Sequence, residues 1–187
     1  MKDHCLNKFK YFLKNQKGAT TIEFFFMLLF LLAIFAFMVD LVILRSTLGK
    51  LDNASYTSVN ILRERIQLYD KRASITAGDL EQFKQLSKRL LYGDKNSQEK
   101  VYVVLEYWPG PAQQATTLGD IADCPPYSPI SQLSNLSPRS EFNNERKVPL
   151  YQVTLCVETS SFFKAFILNQ TEGVNNLVRS SSMAVSR

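Results

Sequence analysis

Residues 17–44 read KGATTIEFFFMLLFLLAIFAFMVDLVIL, and the rest of the chain is arranged around this stretch. From Phe24 to Val39 it carries no charge; Asp40 interrupts it, and Leu41–Leu44 continues the apolar run up to Arg45. A helix over Phe24–Leu44 would be roughly 30 Å long, about the thickness of a bilayer's hydrocarbon core. A helix that is apolar on every face for this length suits lipid better than a soluble core. An ordinary secretory signal is the competing reading. It needs a shorter apolar core and a small-residue cleavage site, and Val39-Asp40-Leu41-Val42 offers none.

Upstream, residues 1–18 hold Lys2, Lys8, Lys10, Lys14 and Lys17 against the single acid Asp3, a net charge of +4. The whole chain is +5, so residues 19–187 are close to neutral at +1. Lysines before an apolar helix predict a cytoplasmic N-terminus and an exported C-terminal part. The near-neutral body argues against a nucleic-acid-binding face. The only histidine, His4, lies in the basic segment, so residues 19–187 lack the histidines of a Ser-His-Asp triad or an HExxH metal site. With no Gly-rich phosphate loop and no carboxylate pair in a catalytic setting either, the sequence offers no catalytic residue, metal site or cofactor, and an enzyme is not expected.

At the junction, Gly18 leaves the backbone accessible to a protease, and Glu23 stands at the edge of the apolar run. Two roles are open to Glu23. Thr20 and Glu23 form a T-x-x-E capping box that merely starts a helix. Alternatively, cleavage after Gly18 makes Ala19 a new N-terminus, whose amine, or a neighbour's, pairs with the Glu23 carboxylate and offsets its cost near lipid.

Residues 46–72 read STLGKLDNASYTSVNILRERIQLYDKR. Leu48, Leu51, Val59, Leu62, Ile66 and Tyr69 recur at helical steps, with Ser55 on the same track. No proline interrupts Ala19–Arg72, so one long helix is expected, with Gly49 and Asp52-Asn53 as the place for a bend. The stripe reads as a side facing the domain's core or as a seam between subunits. A second helix is signalled at 77–92, with capping groups at Thr76 and Asp79, an apolar face of Leu80, Phe83, Leu86, Leu90 and Leu91, and Gly93 as its stop.

Strands are expected at 100–108, 150–158 and 177–186, and a short helix packed on the sheet at 160–168, SSFFKAFIL. The other reading of that last segment is an apolar contact for a partner subunit. All seven prolines lie in 109–149, which reads as a long, mostly irregular connection in need of a tether. Of three cysteines, Cys5 is in the basic segment; Cys124 and Cys156 remain, which suits one disulfide in an oxidising compartment, two buried thiols being the alternative. The domain plan is therefore a leader 1–18, a transmembrane helix 19–45, a membrane-proximal amphipathic helix 46–72 and an exported domain 73–187, in an α+β fold that the resemblance below makes pilin-like.

A basic leader, Gly18, four residues, Glu23-Phe24 and a long apolar helix resemble the class III signal of type IV pilins and pseudopilins. The resemblance implies that Gly18 is the last leader residue and Ala19 the first mature one. It also makes Glu23, followed by Phe24, the assembly glutamate, and an aspartyl prepilin peptidase the enzyme that cuts. Within that class the chain resembles the TadE/TadF group of the tight-adherence (Flp) pilus, closer to TadF. This rests on Gly18–Phe24, the apolar helix, Leu51–Tyr69 with its Leu-Arg-Glu-Arg, and the Ser-rich C-terminal segment. It implies a minor pilin that initiates or caps pilus assembly, with adhesion and biofilm formation downstream. The implied partners are the major Flp pilin, the sister pseudopilin, the inner-membrane assembly platform and the lipid bilayer. The implied location is the bacterial inner membrane, with the C-terminal domain periplasmic. A type II secretion minor pseudopilin and an uncleaved single-pass binding or sensor module are the alternatives.

Overall fold

The computed structural model describes residues 19–68, 75–140, 146–159 and 177–186. The leader with Gly18 and the helix expected at 160–168 lie outside the described residues.

The apolar run becomes the first part of one helix, α1 (Ala19–Leu68), 50 residues and so about 75 Å long. Its helical assignment continues through Gly49 and Asp52-Asn53, the place expected for a bend. Helix α2 (Ala77–Tyr92) starts as its sequence requires: the Asp79 carboxylate accepts both the Thr76 backbone N–H and the Thr76 hydroxyl, each at 2.7 Å. It ends at Gly93, whose φ of 77° is the left-handed cap that glycine adopts freely.

Four strands follow: β1 (Val101–Trp108), β2 (Thr116–Gly119), β3 (Leu150–Glu158) and β4 (Leu177–Val185). They form one antiparallel sheet in the order β2-β1-β3-β4. Alternation divides its side chains between two faces. On one face, Val103, Leu105, Tyr107, Tyr151, Val153, Leu155 and Val178 pack with Leu51, Ala54, Val59 and Leu62 of α1 and Phe83 of α2 in a single core. For Leu48, Leu51, Val59 and Leu62 the stripe is the core side of the helix; the side chain of Ile66 and all of residues 69–72 lie outside the described residues. The rings of Tyr107 and Tyr151, cross-strand partners, stack at 4.9 Å between centroids.

The opposite face is covered by the proline-rich connection. Val104 packs with Cys124 and Cys156, and Trp108 with Ile130 and Leu150. Burial on both faces is why β1 and β3 read as nearly continuous apolar runs instead of alternating. The connection is more regular than its sequence suggests. It contributes the edge strand β2 and a short 3-10 turn at Gln132–Leu136. β2 escapes a pattern reading because it is four residues, exposed or half-buried, and ends in glycine.

Gly119 has a reason to be glycine. Its φ is 122°, and a Cβ there would meet the Val103 carbonyl oxygen at 2.0 Å. The turn after it is fixed by Asp120, whose N–H donates to the Val103 carbonyl at 3.2 Å while its carboxylate accepts from the Val103 N–H (3.4 Å) and from Lys84 of α2 (3.2 Å).

Candidate functional site

The features that stand apart from ordinary core and surface are on α1. From Ile22 to Leu44 its large apolar side chains are exposed almost without exception, Phe24 at 68% and Met27 at 70%. A continuous apolar surface of this size does not remain in water; it marks contact with lipid or with other chains. By length and composition, Thr21–Glu64 is the one candidate membrane span among the described residues. Its distal part, from Leu51 onward, is committed to the domain core, so the surface left free is the proximal part, 21–44.

Each residue expected at the processing and assembly site has a definite place, save Gly18. Ala19 is the first residue of α1. Glu23 and Phe24 are exposed on its second turn, and none of the described residues covers them. Asp40, the one charge inside the apolar run, is half-buried while its apolar neighbours Val39 and Leu41 are exposed.

The free part of α1 joins the domain through a polar contact. The Ser55 hydroxyl, fully buried, lies 2.9 Å from the Ser180 hydroxyl and 2.7 Å from that of Ser182. Alternation puts both serines on the helix-facing side of β4. Buried hydroxyls need partners; the buried Ser55 and Ser180 and the half-buried Ser182 meet where α1 crosses the sheet, and the Ser55 hydroxyl also reaches the Asp52 carbonyl at 3.0 Å. Small Ala54 and Ser58, also buried, leave room for that approach. The sequence shows Ser55 on the helical stripe but not its pairing with residues 125 and 127 positions away. Farther along, Arg63 and Glu64 form a half-buried ion pair at 3.0 Å.

On the other face of the sheet, Cys124 and Cys156 are joined by a disulfide, Cα–Cα 5.8 Å, closing a loop of sequence separation 32. Four residues farther along β1 from Tyr102, the cross-strand partner of Cys156, the same face holds a charged residue that the sequence shows only as part of a strand. Glu106 is only 2% exposed. Its Oε1 accepts the Ile130 N–H at 3.2 Å, and its cross-strand partner Gln152 donates from Nε2 to the Ser128 carbonyl at 3.1 Å. Burial pushes the Glu106 carboxyl above its ordinary range; the Ile130 N–H pulls the other way but less strongly. A buried carboxyl of this kind can be a catalytic acid, but among the described residues its hydrogen-bond partner is the Ile130 backbone and not a second titratable group. Its contacts are those of a clamp on the loop. Among the described residues no cluster of three or more His, Cys, Asp or Glu could hold a metal ion.

The arrangement thus offers an apolar helical surface with an acidic residue at its start, fixed to a small folded domain. In a comparison with protein families, the model of TadF, "Putative tight adherence pilin protein F", matches residues 11–187. Neither the curated proteins nor the solved structures contain a match to the chain.

Proposed function

Because the chain belongs to the TadF family of tight-adherence pilins, we propose that it is a minor pilin whose cleaved, membrane-held form initiates or caps assembly of a Tad/Flp pilus. The observation that carries this reading is the uncovered apolar surface of α1, with Glu23 at its start and a folded domain at its far end. Such a helix is stable in a bilayer and equally suited to pack among like helices in a filament. In this reading a prepilin peptidase cuts between Gly18 and Ala19, and the Glu23 carboxylate then pairs with a free N-terminal amine, its own or a neighbouring subunit's. The domain sits on the periplasmic side of the inner membrane, where the Cys124–Cys156 bond can form. The major Flp pilin, the sister pseudopilin and the assembly platform are its partners. The protein works by assembly and not by catalysis, and adhesion and biofilm formation follow from the pilus.

N-terminal sequencing of membrane-extracted protein tests the processing step. A mature chain starting at Ala19 is expected, and Gly18→Leu should leave the leader attached. A different start, or normal maturation of that variant, overturns the cleavage assignment. Glu23→Ala should be cleaved and inserted normally yet fail to restore pili in a strain lacking the gene. Full piliation by that variant would remove Glu23 from assembly.

A further inference from the structure

The helix fixes not only what holds the protein in the membrane but how far its domain stands from it. α1 is unbroken between Leu44, the last residue of the apolar run, and Leu48. Four residues of helix rise about 6 Å. The headgroup region adds roughly 5–7 Å to each side of the hydrocarbon core. Leu48 already touches the domain: with Pro125, Tyr127, Leu177 and Arg179 it lines an open cleft of about 430 Å³. That cleft is therefore at headgroup depth.

Chain direction shows which end of the domain this is. β4 begins at Leu177 beside Leu48, and its Ser180 and Ser182 meet Ser55, so β4 climbs away from the membrane along α1. The antiparallel order then brings the start of β1, the end of β2 and the end of β3 to the same membrane-near edge. Exposed there are Ile121, Pro125 and Tyr127, the tyrosine at 64%.

Tyr127 is exposed but not loose. Its hydroxyl donates to the Arg179 carbonyl at 3.1 Å, and the Arg179 guanidinium lies 4.0 Å from its ring centroid. That guanidinium in turn donates to the Pro125 carbonyl at 2.6 Å. Tyrosine with an apolar body and a polar tip is the residue that membrane–water interfaces select. Among the described residues the charges at this edge are mixed, Lys100 and Arg179 against Asp123 and Glu158, and give it no net attraction for anionic lipid.

We propose that the strand-end edge of the domain, around Ile121, Pro125 and Tyr127, rests in the headgroup layer of the bilayer that holds α1, with Tyr127 as its interfacial anchor. This rests on the membrane-held reading above and adds to it a docked, rather than free-standing, domain.

Depth-dependent quenching in zwitterionic phosphatidylcholine vesicles, with the full chain reconstituted, tests it. The single native tryptophan, Trp108, ends β1 about 24 Å along the strand from Val101 and serves as the distant reporter. Phe35→Trp places an indole mid-span, and Tyr127→Trp and Ile121→Trp place one at the proposed contact. Quenchers deep in the acyl chains should dim the indole at 35, and quenchers at the headgroup should dim those at 121 and 127. Native Trp108 should respond to neither. If the indole at 35 is quenched while both at 121 and 127 are not, the domain stands clear of the bilayer and the docking proposal is wrong, with the pilin reading intact. The same holds if those two are shielded by a neighbouring protein in assembled pili but unquenched in vesicles. If the indole at 35 is also unquenched, the membrane-held reading fails and the docking fails with it.

Discussion

Glu106 of β1 and Gln152 of β3 stand opposite each other in the sheet, each gripping one residue of the proline-rich connection and each keeping one buried oxygen without a donor. Glu106 Oε2 and Gln152 Oε1 find no hydrogen-bond partner among the described residues. Cross-strand partners bring their Cβ atoms within about 5 Å. A proton on the Glu106 carboxyl can therefore serve both oxygens as a donor toward the Gln152 carbonyl. This agrees with a carboxyl that burial pushes upward.

The pH dependence follows. The folded protein holds the Glu106 proton more tightly than the unfolded chain does, so between the ordinary and the raised value it binds more protons. Stability is then fully present below the ordinary carboxylate range and falls as pH rises through the raised value. Glu106→Gln keeps an oxygen for the Ile130 N–H and replaces the orphan oxygen with an N–H donor. Thermal unfolding of this variant should lose that part of the pH slope and be at least as stable as the parent at neutral pH. An unchanged slope would show that Glu106 does not titrate as described.

The Cys124–Cys156 bond holds the loop against the same face. In the chain-entropy model a closure of this length stabilises by about 3–4 kcal/mol. Cys124→Ser or reduction should lower the unfolding midpoint accordingly and open 109–149 to limited proteolysis. Equal thiol labelling of the two cysteines with and without reductant would mean that the bond is absent.

At the seat of α1, Ser55→Ala removes the hydroxyl that Ser180 and Ser182 share and should cost roughly 1–3 kcal/mol. Ser55→Leu should cost more, because overpacking adds to the unpaired hydroxyls. Both are read from urea unfolding of detergent-solubilised protein. A leucine variant as stable as the parent would mean that the helix is not closely seated there.

Two glycines should respond in opposite directions. Gly119→Ala meets the Val103 carbonyl and a strained backbone, the latter alone costing about 1–3 kcal/mol. Gly49 sits within α1 with open space around its Cβ position, so Gly49→Ala should stabilise by up to about 1 kcal/mol. Unfolding midpoints moving in the same direction would contradict this assignment.

How much of this the sequence discloses depends on how local the cause is. The apolar run of α1, the Thr76 and Asp79 cap of α2, and β3 at Leu150–Glu158 are written in neighbouring residues, and the structure has each of them at or near the expected bounds. The strands expected at 100–108 and 177–186 differ by one residue at one end. What escapes is whatever depends on distant chain. β2 exists because β1 offers an edge to pair with, and Glu106 is buried because the loop folds over it. The role of Ser55 appears only when β4 arrives beside it. A sequence pattern records which side chains prefer burial, but not which distant segment covers them.

The splice between anchor and core in α1 has a mechanical consequence. Many membrane-tethered domains hang from a flexible linker that absorbs force before the fold feels any. Here the helix that enters the membrane is the same rod whose Leu51, Val59 and Leu62 are clamped inside the domain. A pull on the domain is transmitted axially to Phe24 and Glu23 with no slack to take up, and a twist of the membrane end turns the sheet with it. The protein behaves as a bolt with its head attached, so displacement at one end is displacement at the other.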